Sequence, residues 1–318
     1  MSRGGVAALA IAALLACAPA RQGETQSAAS PESAEAERNA SRAPRDIAAF
    51  FDCVAREGLT LVSAHRAGPA PGFAENAIET MRNTLAQTPH AALEIDVQRT
   101  ADGALVLMHD DTVNRTTNGR GAVREMTLDQ FRVLRLRDND GLVLDAHPPT
   151  LREALDAGRD AILQLDVKRG TPFEQVIAEV REAGAQHRVV IITYNDDDAL
   201  LVQRLAPELM QSASIFDVDD FARLRGKGFD ASRSLAFTGV REPNAALNAV
   251  LQQAGVESIF GTLGRPGESW DSRFARSGED QYAAFAETGL EMIATDRPGA
   301  AARALGAAAD PTMCLTAE

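Results

Sequence analysis

The stretch Ala92–Asp111, ALEIDVQRTADGALVLMHDD, decides how the chain is read. Two apolar-rich runs, Ala92–Val97 and Ala104–Met108, flank Asp102-Gly103, a dipeptide that favours a two-residue hairpin turn. With that pair as the turn, Ala101 faces Ala104, Asp96 faces His109 and Glu94 faces Asp111. Side chains alternate along a strand, so Glu94, Asp96, His109 and Asp111 are expected on one face. Three carboxylates and an imidazole would repel and desolvate one another in a core. They make sense around a divalent cation with oxygen ligands and a base beside it. The alternative is an exposed polar hairpin face.

What surrounds this hairpin chooses between the two. From Pro149 onward the pattern is regular, helix alternating with strand. Helices are expected over Thr150–Ala157 (Thr150 as N-cap), Phe173–Ala183, Asp196–Leu205 (Asn195 as cap), Val218–Arg225, Pro243–Ala254, Glu279–Glu287 and Pro298–Leu305. Strand-like runs begin near residues 59, 92, 160, 188, 209, 235, 256 and 292. Strand alternating with helix at this spacing implies a parallel sheet, and eight strands close a (β/α)8 TIM barrel. Glu75–Leu85 reads as a further helix. Asn114–His147, with a short helix over Leu128–Leu136, reads as a small insertion after the second-strand hairpin.

In such a barrel, chemistry lies at the C-terminal ends of the strands. The first strand ends in His65-Arg66, the second in Glu94 and Asp96 with His109 returned by the hairpin, and the third in Asp166 and Lys168. Unpaired buried charges cost several kcal/mol each, so this convergence argues for a catalytic mouth.

The chain has 318 residues, 45% of them hydrophobic and 24% charged, enough for a sizeable core. Its net charge of −13 argues against nucleic acid or an anionic membrane as a partner held by bulk electrostatics. Residues 1–20, MSRGGVAALAIAALLACAPA, read as a secretory signal whose apolar part is too short to span a bilayer. Leu14-Leu15-Ala16-Cys17 resembles a lipobox, with Cys17 as the lipidated residue, while Ala18-Pro19-Ala20 fits ordinary cleavage. The expectation is an exported, periplasmic protein anchored through Cys17. Residues 21–45, poor in large apolar side chains, form the expected flexible linker, and residues 46–318 the barrel domain. In an oxidising compartment Cys53 and Cys314 invite a disulfide tying the first helix to the C-terminal tail; two buried thiols are the alternative.

These residues carry a resemblance to the glycerophosphodiester phosphodiesterase family, across about Leu59 to Pro298. Its fragments stand here as His65-Arg66-Ala67, Ala74-Glu75-Asn76-Ala77, Glu94-Ile95-Asp96, Thr100-Ala101-Asp102-Gly103, His109-Asp110, Asp166-Val167-Lys168 and Thr295-Asp296-Arg297-Pro298. Each is weak alone; seven in order and spacing are strong. The resemblance implies a phospholipase-C-like barrel with His65 and His109 as acid and base. It implies one divalent cation on Glu94, Asp96 and Asp166, and phosphate oxygens held by Arg66 and Lys168. The hard, all-oxygen ligand set favours Mg²⁺ or Ca²⁺ over zinc. The implied substrate is a small-molecule glycerophosphodiester, hydrolysed to glycerol 3-phosphate and an alcohol.

The chain departs from the family pattern in several places. Ala67 replaces a glycine, Ala74 and Ala77 replace Pro and Thr, and Asp166 stands where Glu is usual. Phe260-Gly261-Thr262-Leu263-Gly264 replaces a Trp-Thr segment, and Trp270, the only tryptophan, is a candidate pocket wall or a core residue. Two other readings remain open. One keeps the machinery but acts, like a phospholipase D, on lysophospholipid or sphingomyelin; a broad apolar rim would favour it, and the sequence shows no clear one. The other is a non-catalytic lipoprotein binding module, against which the intact histidine pair argues.

Overall fold

A computed structural model describes Met1, residues 43–278 and residues 281–316. The signal-like segment, its Cys17 and nearly all of the expected linker lie outside the described residues. So do residues 279–280, the start of one expected helix.

Eight parallel strands close on themselves. They are β1 (Leu61–Ala64), β2 (Ala92–Arg99), β4 (Leu163–Val167), β5 (Val189–Thr193), β6 (Met210–Ser214), β7 (Ser234–Phe237), β8 (Glu257–Gly261) and β9 (Met292–Thr295). The order β1-β9-β8-β7-β6-β5-β4-β2 is closed by β1 pairing with β2, and β3 (Leu105–Leu107) adds antiparallel to β2. Each run expected from the sequence thus supplies one stave of a TIM barrel.

Alternation along the strands sorts their side chains. Leu93, Ile95, Val97, Leu163 and Leu165 belong to a cluster shared with Met81 of α2 (Ile78–Gln87), Leu155 of α4 (Leu151–Ala157) and Ile177 of α5 (Phe173–Glu182). The intervening residues Glu94, Asp96, Gln164 and Asp166 therefore face the barrel axis. Parallel register sets Glu94 beside Gln164 and Asp96 beside Asp166. The other end of the barrel is plugged by α1 (Ile47–Arg56), whose Phe50, Phe51 and Val54 pack with Leu61, Ile162, Val190, Met210 and Leu235. Asp46 caps this helix, accepting from the amides of Ala48 and Ala49. Cys53 of α1 is joined to Cys314 by a disulfide with Cα atoms 5.6 Å apart, so the bridge alternative holds.

The helices alternate with the strands much as expected: α6 (Asp196–Leu205), α7 (Val218–Gly226), α8 (Ala245–Gln253), α10 (Tyr282–Ala286) and α11 (Pro298–Leu305). Pro243 stands before α8, because Asn244 takes the cap and accepts from Leu247 N–H. One helix, α9 (Trp270–Ser277), was not expected. The insertion after β3 carries the one-turn helix α3 (Leu128–Arg132) and a single 3-10 turn over Val123–Glu125, and its Val123, Phe131 and Leu134 pack with Val113 against Val106 and Met108. Among the described residues no helix is long and apolar enough to cross a membrane.

The hairpin differs from its expected register. Thr100 N donates to Ala104 O, Gly103 N donates to Thr100 O, and Gly103 takes a φ of 90°, so the loop has three residues, Ala101–Gly103. The positive φ of the third loop residue is what a glycine supplies without steric cost. Val97 then pairs with Leu107, one residue out of the expected register. A one-residue slip moves every partner to the opposite face. Asp96 therefore faces Met108, and Asp111 is exposed rather than sharing the face of Glu94 and Asp96.

Candidate active site

Glu94, Asp96 and Asp166 are buried and offer carboxylate oxygens within 4.8 Å of one another. Each is held by named donors. The backbone N–H of Arg66 donates to Glu94 Oε2 at 2.7 Å. Asn76 brackets Asp96, its Nδ2 donating to Oδ2 at 2.6 Å and its Oδ1 accepting from Asp96 N at 2.9 Å. Asp166 Oδ2 receives the Tyr194 hydroxyl at 2.8 Å and Lys168 Nζ at 2.5 Å, and the same ammonium lies 2.6 Å from Asp96 Oδ1.

These positions need unusual backbone. Arg66, Ala67 and Asn76 have φ values of 50°, 67° and 60°. That left-handed region disfavours a Cβ, which explains why glycine is the family residue at the position of Ala67 and why asparagine suits position 76. The turn is retained because it aims Arg66 N–H at Glu94 and Asn76 at Asp96.

The donor set fits a hard divalent cation. Asp166 Oδ1 is buried with no hydrogen-bond partner. Burial, then the charge of Asp96, pushes the Glu94 carboxyl up to about 8, a proton that a cation in the centre would displace. Burial would also raise Asp96, but Lys168 beside it outweighs this and its pKa lies below the usual range. Burial disfavours the Lys168 ammonium, yet Asp96 and Asp166 outweigh that too and raise its pKa.

The two histidines are positioned alike. His65 Nδ1 donates to Asp296 Oδ1 at 2.7 Å, and His109 Nδ1 donates to Asp110 Oδ1 at 2.7 Å. Each imidazole keeps Nε2 for the cleft. Burial lowers the pKa of His65, but the Asp296 bond and the charge of Glu94 outweigh it and the net shift is upward. His109 lies beyond the last residue of β3, so it reaches the mouth from the departing chain rather than from the strand face.

Behind the histidines stand residues that the sequence reading did not single out. Arg115 makes a two-pronged contact with Glu75, both bonds 2.8 Å, and another with Asp110 at 2.8 and 2.9 Å. Its hydrogen bonds hold the Asp110 carboxyl far below the usual range. Glu75 also accepts from Arg66 Nη1 at 3.1 Å, so one carboxylate links both sides of the site. Asp271, on α9, accepts from Asp296 N, the Thr295 hydroxyl and the Tyr282 hydroxyl, and so fixes the Thr-Asp turn beneath His65.

A cleft of about 950 Å³ opens over these groups, lined by His65, His109, Arg66, Lys168, Arg115 and Arg297 among others. Trp270 does not line it; half-buried, it donates its indole N–H to Arg241 O and packs its ring on Phe274 and Phe285 at the edge of the core.

An eight-stranded parallel barrel with its charged groups at the C-terminal mouth is a TIM barrel of the enzyme type. The sequence model of the glycerophosphoryl diester phosphodiesterase family matches residues 65–265, and the chain belongs to that family. It is 33% identical over 158 residues to a glycerophosphodiester phosphodiesterase of Caldanaerobacter subterraneus, an alignment covering 47% of this chain and 64% of that protein. The structure of a glycerophosphoryl diester phosphodiesterase from Parabacteroides distasonis is similar with a TM-score of 0.68 and 30% identity, covering 78% of this chain and 86% of that one. A phosphodiesterase from Oleispira antarctica, solved in complex with the product sn-glycerol-3-phosphate, shares the fold at a TM-score of 0.59 and 21% identity, over 79% of this chain and 98% of that one.

Proposed function

We infer that this chain is an exported, divalent-cation-dependent phosphodiesterase that hydrolyses glycerophosphodiesters to glycerol 3-phosphate and an alcohol. The observation carrying this reading is the pair of imidazoles, each with Nδ1 tied to an aspartate and each lining one cleft with Arg66 and Lys168. Family membership and the product named in the Oleispira complex support the substrate class.

In this reading Arg66 and Lys168 neutralise the phosphate oxygens and orient the phosphorus between His65 and His109. One histidine, neutral at the start, takes a proton from water or from the glycerol hydroxyl as it attacks phosphorus. The other starts protonated and gives its proton to the departing alkoxide. Glu94, Asp96 and Asp166 would hold Mg²⁺ or Ca²⁺, whose chemistry there is to absorb negative charge as the bond to phosphorus breaks. Lys168, already seated between two of these carboxylates, couples the phosphate site to the cation site.

Export is supported by the signal-like residues 1–20 and by the Cys53–Cys314 disulfide, which suits an oxidising compartment. Anchoring through Cys17 is the form proposed; Cys17→Ser should move the protein from the membrane to the soluble fraction of its host.

Incubation of the purified protein with glycerophosphocholine tests the activity. Glycerol 3-phosphate and choline are the expected products. Release of phosphocholine and glycerol, or no turnover, would overturn the assignment.

A further inference from the structure

The closed end of the barrel, opposite the mouth, holds carboxylates that the chemistry above does not use. Glu257 opens β8 and, by strand alternation, points to the same side as Ile259, which packs with the plug formed by α1. A position bordering that plug suits an apolar side chain, yet the glutamate here is only 4% exposed. Among the described residues no other residue hydrogen-bonds its carboxylate, which has only its own backbone N–H. Its charged neighbours, Asp52 of α1 and Glu291 just before β9, are both acidic.

These three carboxylates line a cavity of about 240 Å³ together with Gln252 of α8. Glu291 is held in place, its Oε2 accepting from Ser258 N–H at 2.7 Å and from the Ser258 hydroxyl at 2.9 Å. Arg56 also borders the cavity, but it is largely exposed and donates to Glu57 Oε1 at 3.1 Å instead. A carboxylate taken out of water without a counter-charge is strongly disfavoured, so Glu257 must keep its proton or meet a cation. Burial does push Glu257 up to about 8 and raises Glu291 as well. A proton answers the charge but not the cavity in front of it.

Geometry narrows the cation. Among the described residues only Glu94, Asp96 and Asp166 bring three ligand atoms within 4.8 Å of one another, so Asp52, Glu257 and Glu291 stand too far apart to converge on one bare metal ion. A wider ligand with several N–H donors can reach separate carboxylates and the Gln252 side chain. None of the described residues lining the cavity is aromatic, so it lacks the cage that holds a quaternary ammonium.

We propose that this cavity binds a small organic cation bearing a primary ammonium or guanidinium group, with Glu257 as its buried counter-ion and Asp52 and Glu291 beside it. A ligand seated there would tie α1 to β8 and β9, bracing the barrel at the end away from the active site, and would add its binding free energy to the stability of the fold.

Calorimetric titration of the whole protein with methylguanidinium and with ethylammonium tests this, in excess Mg²⁺ so that the acidic centre of the mouth is occupied. Saturable binding of at least one of them, at one site per chain, is expected. Tetramethylammonium, of the same charge but without N–H groups, should not bind. Glu257→Gln should weaken binding about tenfold or more, because a charge-assisted hydrogen bond is lost. Asp52→Asn, on the exposed side of α1 and harmless to the core, should weaken it too and decides the matter if the first variant does not fold. No saturable binding, equal binding of tetramethylammonium, or an affinity indifferent to both variants would overturn the inference.

Discussion

The hydroxyl of Tyr194 donates to Asp166 Oδ2 at 2.8 Å, while Asp166 Oδ1 is buried with no hydrogen-bond partner. The aspartate is thus turned so that one oxygen is held by tyrosine and lysine and the other faces the acidic centre. Where the family carries the longer glutamate, this chain supplies a side chain one methylene shorter with a tyrosine to aim it. Tyr194→Phe removes a hydrogen bond to a charged acceptor, so affinity for Mg²⁺ should fall about tenfold while the fold persists. Isothermal titration calorimetry checks this; unchanged affinity would show that Tyr194 does not position the carboxylate.

Replacing His65 or His109 by Ala should leave folding and cation binding largely intact, since neither is assigned as a ligand. Turnover should drop by about 10²–10⁴ in each. A nitrophenyl phosphodiester needs no proton on departure, so it should rescue the general-acid variant and leave the base variant inactive. Identical responses of the two variants to leaving-group acidity would refute the division of labour.

How much of this was legible beforehand varied with the range of the interaction. The barrel followed from local periodicity: eight apolar runs, with helices between them, need only their own alternation to be recognised. Glu94, Asp96 and Asp166 were legible because parity along a strand fixes the face, and the parallel register of β2 and β4 then sets Asp96 beside Asp166. The hairpin misled because Asp102-Gly103 fits two loop lengths. Thr100 decides between them, its hydroxyl donating to Asp102 Oδ1 and its Oγ1 accepting from Ala104 N, which draws a third residue into the loop. Tyr194, Arg115 and Asp271 were missed because no local pattern ties them to Asp166, Glu75 and Thr295, which lie 28, 40 and 24 residues away along the chain.

Stability should depend on pH through the closed end of the barrel. Burial, then the charges of Asp52 and Glu291, pushes Glu257 up to about 8 from an ordinary value of 4.5. The folded state therefore binds its proton more tightly than the unfolded chain does. That stability is fully present below 4.5 and is lost as pH rises through about 8, by up to about 1.4 kcal/mol per pH unit. Glu257→Gln removes this contribution, so its Tm should decline less than that of the parent between about pH 5 and pH 8. Parallel Tm curves would contradict the shift.

The Cys53–Cys314 bridge spans 261 residues of chain and ties α1 over the closed end of the barrel. Converting both cysteines to serine should cost roughly 3–5 kcal/mol, chiefly by freeing the unfolded chain. Urea unfolding of the two proteins measures the difference. A loss under about 1 kcal/mol would mean that the packing of Phe50, Phe51 and Val54 holds the plug without it.

If Glu94, Asp96 and Asp166 hold the divalent cation of a phosphodiesterase, hydrolysis at this mouth must follow that cation. Choline release from glycerophosphocholine, followed before chelation, after exhaustive EDTA treatment, and after return of Mg²⁺ or Ca²⁺, tests it most directly. Chelation should abolish release, one of the two ions should restore it, and Asp166→Ala should be restored by neither. Hydrolysis that continues unchanged after chelation would contradict it.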